Sequence, residues 1–137
     1  RKTLLVEGSR FPDFSATDID GRIWTGADVA GKVMVLNLWF TGCGPCRAEM
    51  PELSRWKDEM PDVMFFSSTY EDAGRARPVL EEQGFNWIGD TQFRKFVGPN
   101  GYPLTVVIDK EGIVAQVEYG TSPVQRDALK EKIRSLR

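Results

Sequence analysis

Two cysteines, the whole complement of the chain, sit in one tetrapeptide, Cys43-Gly44-Pro45-Cys46. Cysteines this close cannot staple distant segments together. They can cycle between dithiol and disulfide, hold half of a metal site, or be incidental. A structural zinc takes about four Cys or His ligands. The chain contains 2 Cys and 0 His, so an intrachain zinc site, or a copper site completed by histidine, lacks its ligands. The missing histidine also excludes Ser-His-Asp and Cys-His catalysis and a histidine pH switch. Thiol chemistry remains, with no metal and no cofactor expected. That chemistry depends on thiolate, and a helix N-terminus favours it, because unpaired N–H groups and the helix dipole stabilise negative charge. Cysteines placed there have pKa values lowered to roughly 3.5–7.5. Cys43, at the helix start, is expected to be the exposed attacking sulfur. Cys46, one turn inside, is expected to be the shielded resolving thiol. Pro45 suits a first turn, where its missing N–H would have had no partner.

The elements that must position this pair can be read along the chain. Residues 33–40 are apolar on both faces and rich in β-branched and aromatic side chains, the pattern of a central strand covered on both sides. A helix is expected over 44–59, with Leu53, Trp56 and Met60 inward and a kink at Pro51. Residues 62–69 read as a second buried strand, 74–83 as a helix stopped by Gly84, and 92–97 as a short helical turn. Strands over 104–108 and 113–118 flank the turn Asp109-Lys110-Glu111-Gly112. The last helix is announced by Ser122 as N-cap, Pro123 in its first position and Gln125 closing a capping box, with Leu129, Ile133 and Leu136 inward. Upstream, residues 11–28 hold two short strands around the turn Asp18-Ile19-Asp20-Gly21. Residues 1–10 read as a loose lead-in and 11–137 as a single domain. The expected fold is α/β, a mixed central sheet flanked by helices with an N-terminal β-hairpin.

Composition sets further bounds. Across 137 residues, 41% are hydrophobic and 28% charged, which suits a globular chain with its own core. With 18 basic and 20 acidic residues the net charge is −2, which argues against a nucleic-acid partner. No apolar run approaches the ~18 residues of a membrane span. The chain opens on Arg1 rather than Met, so an upstream segment is expected to have been cleaved or left out, with room in it for a signal or anchor.

The stretch from Leu38 through Cys43-Gly44-Pro45-Cys46 to Arg47-Ala48-Glu49-Met50-Pro51 resembles the active-site segment of the thioredoxin superfamily. It is most similar to the TlpA/ResA-like extracytoplasmic thiol-disulfide oxidoreductases. Phe11-Pro12-Asp13-Phe14, Gly31-Lys32-Val33, Tyr102-Pro103-Leu104-Thr105 and Ile108-Asp109-Lys110-Glu111-Gly112 extend the resemblance over most of the chain. It implies a thioredoxin-like fold, with Cys43 as nucleophile and Cys46 as resolving cysteine. Pro103 takes the family's cis-proline position, and the backbone at Tyr102 is offered to a substrate strand. Trp39 matches the tryptophan beneath the active-site loop. Trp39, Gly42, Gly44, Pro45, Tyr102 and Pro103 form the implied substrate-contacting set. Gly42 stands where many members carry an aromatic residue. Asn37 stands where cytoplasmic thioredoxins carry a buried Asp, and an amide cannot carry a proton at neutral pH. Glu49, three residues after Cys46 and on the same helical face, is the family's alternative acid.

The resemblance implies a thiol-disulfide oxidoreductase, and the Gly-Pro pair shared with thioredoxin implies a reductant. Its partners would be oxidised proteins, among them apocytochrome c or other secreted cysteine proteins, and an upstream thiol electron donor. The chain is expected to be a monomer outside the cytoplasm. Two alternatives belong to other classes. A thiol peroxidase of the peroxiredoxin type would place Thr and Pro where Phe40 and Leu36 stand. A non-catalytic binding module would have no use for the cysteine pair.

Overall fold

The computed structural model describes residues 5–93 and 101–137. In chain order the elements are β1 (Ser15–Thr17), β2 (Ile23–Thr25), α1 (Gly26–Val29), β3 (Met34–Trp39), α2 (Gly44–Glu59), β4 (Met64–Thr69), α3 (Ala73–Gln83), β5 (Ile88–Asp90), β6 (Leu104–Ile108), β7 (Val114–Tyr119) and α4 (Pro123–Leu136). β1 and β2 form the N-terminal hairpin. The other strands form one mixed sheet in the order β5-β4-β3-β6-β7. β3 pairs parallel with β4 and antiparallel with β6, as a doubly covered central strand should.

Strand alternation divides β3 between two cores. Met34, Leu36 and Leu38 face the layer built by the hairpin, with Phe11, Trp24, Phe66 and Phe93. Val35 and Trp39 face the helical layer, where Met50, Leu53 and Trp56 of α2 and Leu129 and Ile133 of α4 close over them. The same alternation turns Asn37 toward α2. Thr105, its partner in the β3/β6 register, lies beside it. A buried polar pair therefore sits directly beneath the helix that carries both cysteines.

Several expectations required correction. Residues 5–10 are not loose. Gly8 donates to the Val114 carbonyl, Val114 to the Ser9 carbonyl and Phe11 to the Gly112 carbonyl, each at 2.8 Å, and Leu5 is buried. This segment satisfies backbone groups at the start of β7 that would otherwise be an open edge. Beside these corrections, the helix expected over 44–59 stands as α2, Gly44–Glu59, with Pro51 inside it. The α4 capping box is one-sided. Ser122 Oγ accepts from the Gln125 N–H, but the Gln125 side chain turns to Glu118 and the Tyr119 carbonyl instead. α1 and β5 had no sequence signal, since Ile88-Gly89-Asp90 combines two poor strand formers. Pairing with β4 makes it a strand. Of the helical turn expected at 92–97, residues 94–97 lie outside the described residues. Among those described, no helix is long and apolar enough to cross a membrane.

Candidate active site

α2 begins where β3 ends, and Cys43 is its N-cap. The Cys43 Sγ accepts a hydrogen bond from the Cys46 N–H at 3.2 Å, and the two cysteines form a disulfide. A helix N–H therefore points at the sulfur on which negative charge would develop, the arrangement that favours thiolate. Cys43 is 5% exposed and Cys46 is 0%. Cys43 is thus the more accessible sulfur, but in the oxidised form it is not exposed as expected. The disulfide belongs to the apolar cluster that contains Trp39, with Phe40 and Tyr102 packed against it.

Trp39 is itself 0% exposed. It cannot touch a substrate from that position, and its part is to support the disulfide within the core. Gly42 and Gly44 differ in their surroundings. A Cβ at Gly42 would come within 3.3 Å of the Phe40 ring, whereas one at Gly44 would meet open space. The Tyr102–Pro103 peptide is cis. The β3/β6 register, carried one residue beyond Leu38 and Leu104, sets buried Pro103 across from Trp39. The Pro103 carbonyl is taken by the Gly120 N–H at 2.8 Å. Tyr102 joins Phe40 and Tyr70 in an aromatic group with centroids 5.3 to 6.2 Å apart, and Tyr70 is 48% exposed. This is the apolar rim beside the disulfide.

Glu49 lies one helical turn from Cys46 and is 4% exposed. Glu49 is therefore not a solvated residue of the helix surface. Its Oε2 accepts from Asn37 Nδ2 at 3.2 Å, and the same amide donates to Thr105 Oγ1 at 3.2 Å. Burial raises the Glu49 pKa from 4.5 to about 7, against the opposing pull of Asn37, Thr121 and Arg126. A carboxyl that titrates near neutrality beside a buried thiol can take or return a proton at working pH.

A second carboxylate holds the loop before Cys43. Glu71, between β4 and α3, accepts from the Thr41 N–H at 2.7 Å and from Thr41 Oγ1 at 2.6 Å. Thr69 Oγ1 donates to it at 2.9 Å. Burial opposes its ionisation, but the bonds from Thr41 and Thr69, with Arg75 nearby, outweigh burial and hold the carboxyl below its usual range. From the other side, Arg47 Nη1 donates to the Thr41 carbonyl at 3.2 Å. Both faces of the Thr41 backbone are thus tied down. Glu71→Ala is expected to cost about 1–3 kcal/mol, because it leaves the Thr41 donors unpaired. Urea unfolding of the oxidised protein measures this, and an unchanged midpoint would show the clamp to be idle.

The model of the Redoxin family matches residues 6–133. The chain belongs to the Redoxin family. Thiol-disulfide oxidoreductase ResA of Geobacillus kaustophilus is 32% identical over 130 residues, covering 88% of this chain and 73% of that protein. Thiol:disulfide interchange protein DsbE of Pseudomonas aeruginosa is 32% identical over 115 residues, covering 78% and 63%. The fold is shared with a secreted Mycobacterium tuberculosis disulfide oxidoreductase homologous to E. coli DsbE. The TM-score is 0.76 at 23% identity, covering 90% of this chain and 96% of that one. This Redoxin chain is a thiol-disulfide oxidoreductase with a thioredoxin-like fold.

Sequence reasoning missed part of the surroundings of the site. Asn37 cannot carry a proton, yet its amide donates to Glu49 and orients it. Its signal was visible: an amide within an otherwise apolar strand must find a buried partner. Glu71, Thr105, Thr121 and Arg126 gave no such signal, since each is an ordinary surface or strand residue until the fold brings it in.

Proposed function

We propose that this oxidoreductase works as a reductant of protein disulfides outside the cytoplasm, with Glu49 as the proton carrier for Cys46. The carrying observation is the buried carboxyl one turn below a disulfide that caps a helix. In the reduced protein, the Cys43 thiolate attacks a substrate disulfide. A mixed disulfide forms, and one substrate sulfur leaves as thiolate. Cys46 passes its proton to Glu49 and attacks the Cys43 sulfur. The second substrate thiolate leaves, and Cys43–Cys46 remains as the disulfide. A thiol donor then returns the two electrons. The aromatic rim of Phe40, Tyr70 and Tyr102 supports a polypeptide substrate, because it is an open apolar surface rather than a small-molecule cleft. The family resemblance at Tyr102 and Pro103 supports a backbone edge beside it, to which a substrate strand can pair. The secreted relative and the named interchange proteins support an extracytoplasmic setting. Cysteine-bearing proteins such as apocytochrome c fit as substrates.

Redox poise tests the direction. The couple is expected nearer thioredoxin, at roughly −270 mV, than DsbA, at roughly −120 mV. Equilibration with dithiothreitol and glutathione buffers measures it. A value above about −180 mV, where the isomerase lies, would overturn the reductant reading. Consumption of peroxide without reduction of any disulfide would replace it with a peroxidase.

A further inference from the structure

Glu49 stands at the inner end of a polar file that reaches the surface. Outward from it come Thr121, in the turn between β7 and α4, and Arg126, in α4. Glu52, three residues beyond Glu49 on the same face of α2, completes the file. Arg126 Nη1 donates to Thr121 Oγ1 at 2.6 Å. Its Nε lies 3.1 Å from Glu52 Oε1, and the two side chains are 18% and 34% exposed. The file thus passes from a dry carboxyl to a wetted ion pair within a few side chains. A pair this near the surface contributes little to stability. Its field acts more strongly on a buried carboxyl, where water does not screen it.

We propose that Arg126 and Glu52 are positioning residues for thiol exchange: the Arg126 guanidinium, anchored by Thr121, is the opposing charge that lets buried Glu49 ionise, and Glu52 is the counter-ion that restrains it. The proposal rests on the reading of Glu49 as proton carrier. Among the described residues, the charged groups that face Glu49 are these two, Arg126 from α4 and Glu52 from α2. β3 and β6 present the neutral Asn37 and Thr105, the β7–α4 turn presents the neutral Thr121, and the disulfide is uncharged. The electrostatics have the required signs. Beneath the larger influence of burial, Arg126 draws Glu49 toward its ionised form and Glu52 opposes this.

The test reads the Glu49 carboxyl directly, by carbon NMR of the oxidised, glutamate-labelled protein, with Glu49→Gln to assign the signal. Arg126→Gln is expected to raise the titration midpoint by about one unit, and Glu52→Gln to lower it. Arg126→Lys restores most of the wild-type position. The pH profile of disulfide reduction shifts in the same two directions. A midpoint that stays put in both neutral variants, or moves the same way in both, overturns the proposal. Where Arg126→Gln does not fold, Arg126→Met takes its place. An upward shift cannot come from loosening, since entering water lowers the midpoint of a buried acid. The titration requires no turnover. If Glu49→Gln retains full activity, the proton-carrier reading fails while the electrostatic result stands by itself.

Discussion

Glu49→Gln is expected to slow disulfide reduction at neutral pH by about a hundredfold, the lower range for loss of a positioned acid–base group, while making the oxidised protein more stable above pH 7. The two effects share one cause. The native carboxyl has its pKa raised from 4.5 to about 7 by burial. An acid with a raised native pKa binds more protons folded than unfolded across that window. Stability therefore falls as pH rises from about 4.5 to about 7, and stays reduced above it. The shift corresponds to about 3 kcal/mol. A neutral glutamine, close in shape to the protonated acid, removes this penalty. Thermal unfolding of the oxidised protein at pH 4 and pH 8 should show no gain at the lower value and a clear gain at the higher. A rate and pH profile matching wild type from about pH 5 to 9, which brackets the Glu and Cys reference values, would return Glu49 to the status of a buried structural residue. The thiol titrations belong to the coupled group and are read as one curve.

Cys46→Ala is expected to abolish turnover and leave Cys43 covalently joined to its substrates. Cys43 has the accessible edge and the helix N–H aimed at its sulfur, whereas Cys46 has no exposed surface. Substrate can reach Cys43, and without Cys46 nothing inside the protein releases it. Non-reducing gels of Cys46→Ala should show complexes that dithiothreitol removes. Cys43→Ala should show none. Complexes from Cys43→Ala alone would exchange the two roles. Mass spectrometry of the trapped complexes identifies the physiological partners.

The chemistry of the site was legible before the fold, because it depends on local facts. Two cysteines one helical turn apart, after a β-rich apolar run and in a chain without histidine, leave little besides thiol redox chemistry. The central strand, the long helix and the closing helix were legible for the same reason. Period, caps and turn residues are written in consecutive positions. The turn from Asp18 to Gly21 and the αL glycine at 84 fall where those local signals placed them.

Tertiary structure decided what depends on neighbours distant in the chain. Asn37 and Glu49 are twelve residues apart, and Asn37 and Thr105 are 68 apart; only the β3/β6 register and the seat of α2 join them. The raised pKa of Glu49 is a property of that burial, since the same glutamate on a wet helix face would titrate as any other. Glu71 reaches Thr41 across 30 residues, and Arg126 comes near the acid through the β7–α4 turn, which the edge strand β7 brings to the active-site end of the sheet. The edge role of residues 5–10 and the strand at Ile88–Asp90 likewise arise from pairing, because backbone groups satisfied by another strand carry no trace in side-chain pattern. The residue types in the chain determined by themselves that a thiol reacts here. How easily its proton leaves depends on which side chains the packed sheet and helices press against Glu49, and on how little water they admit.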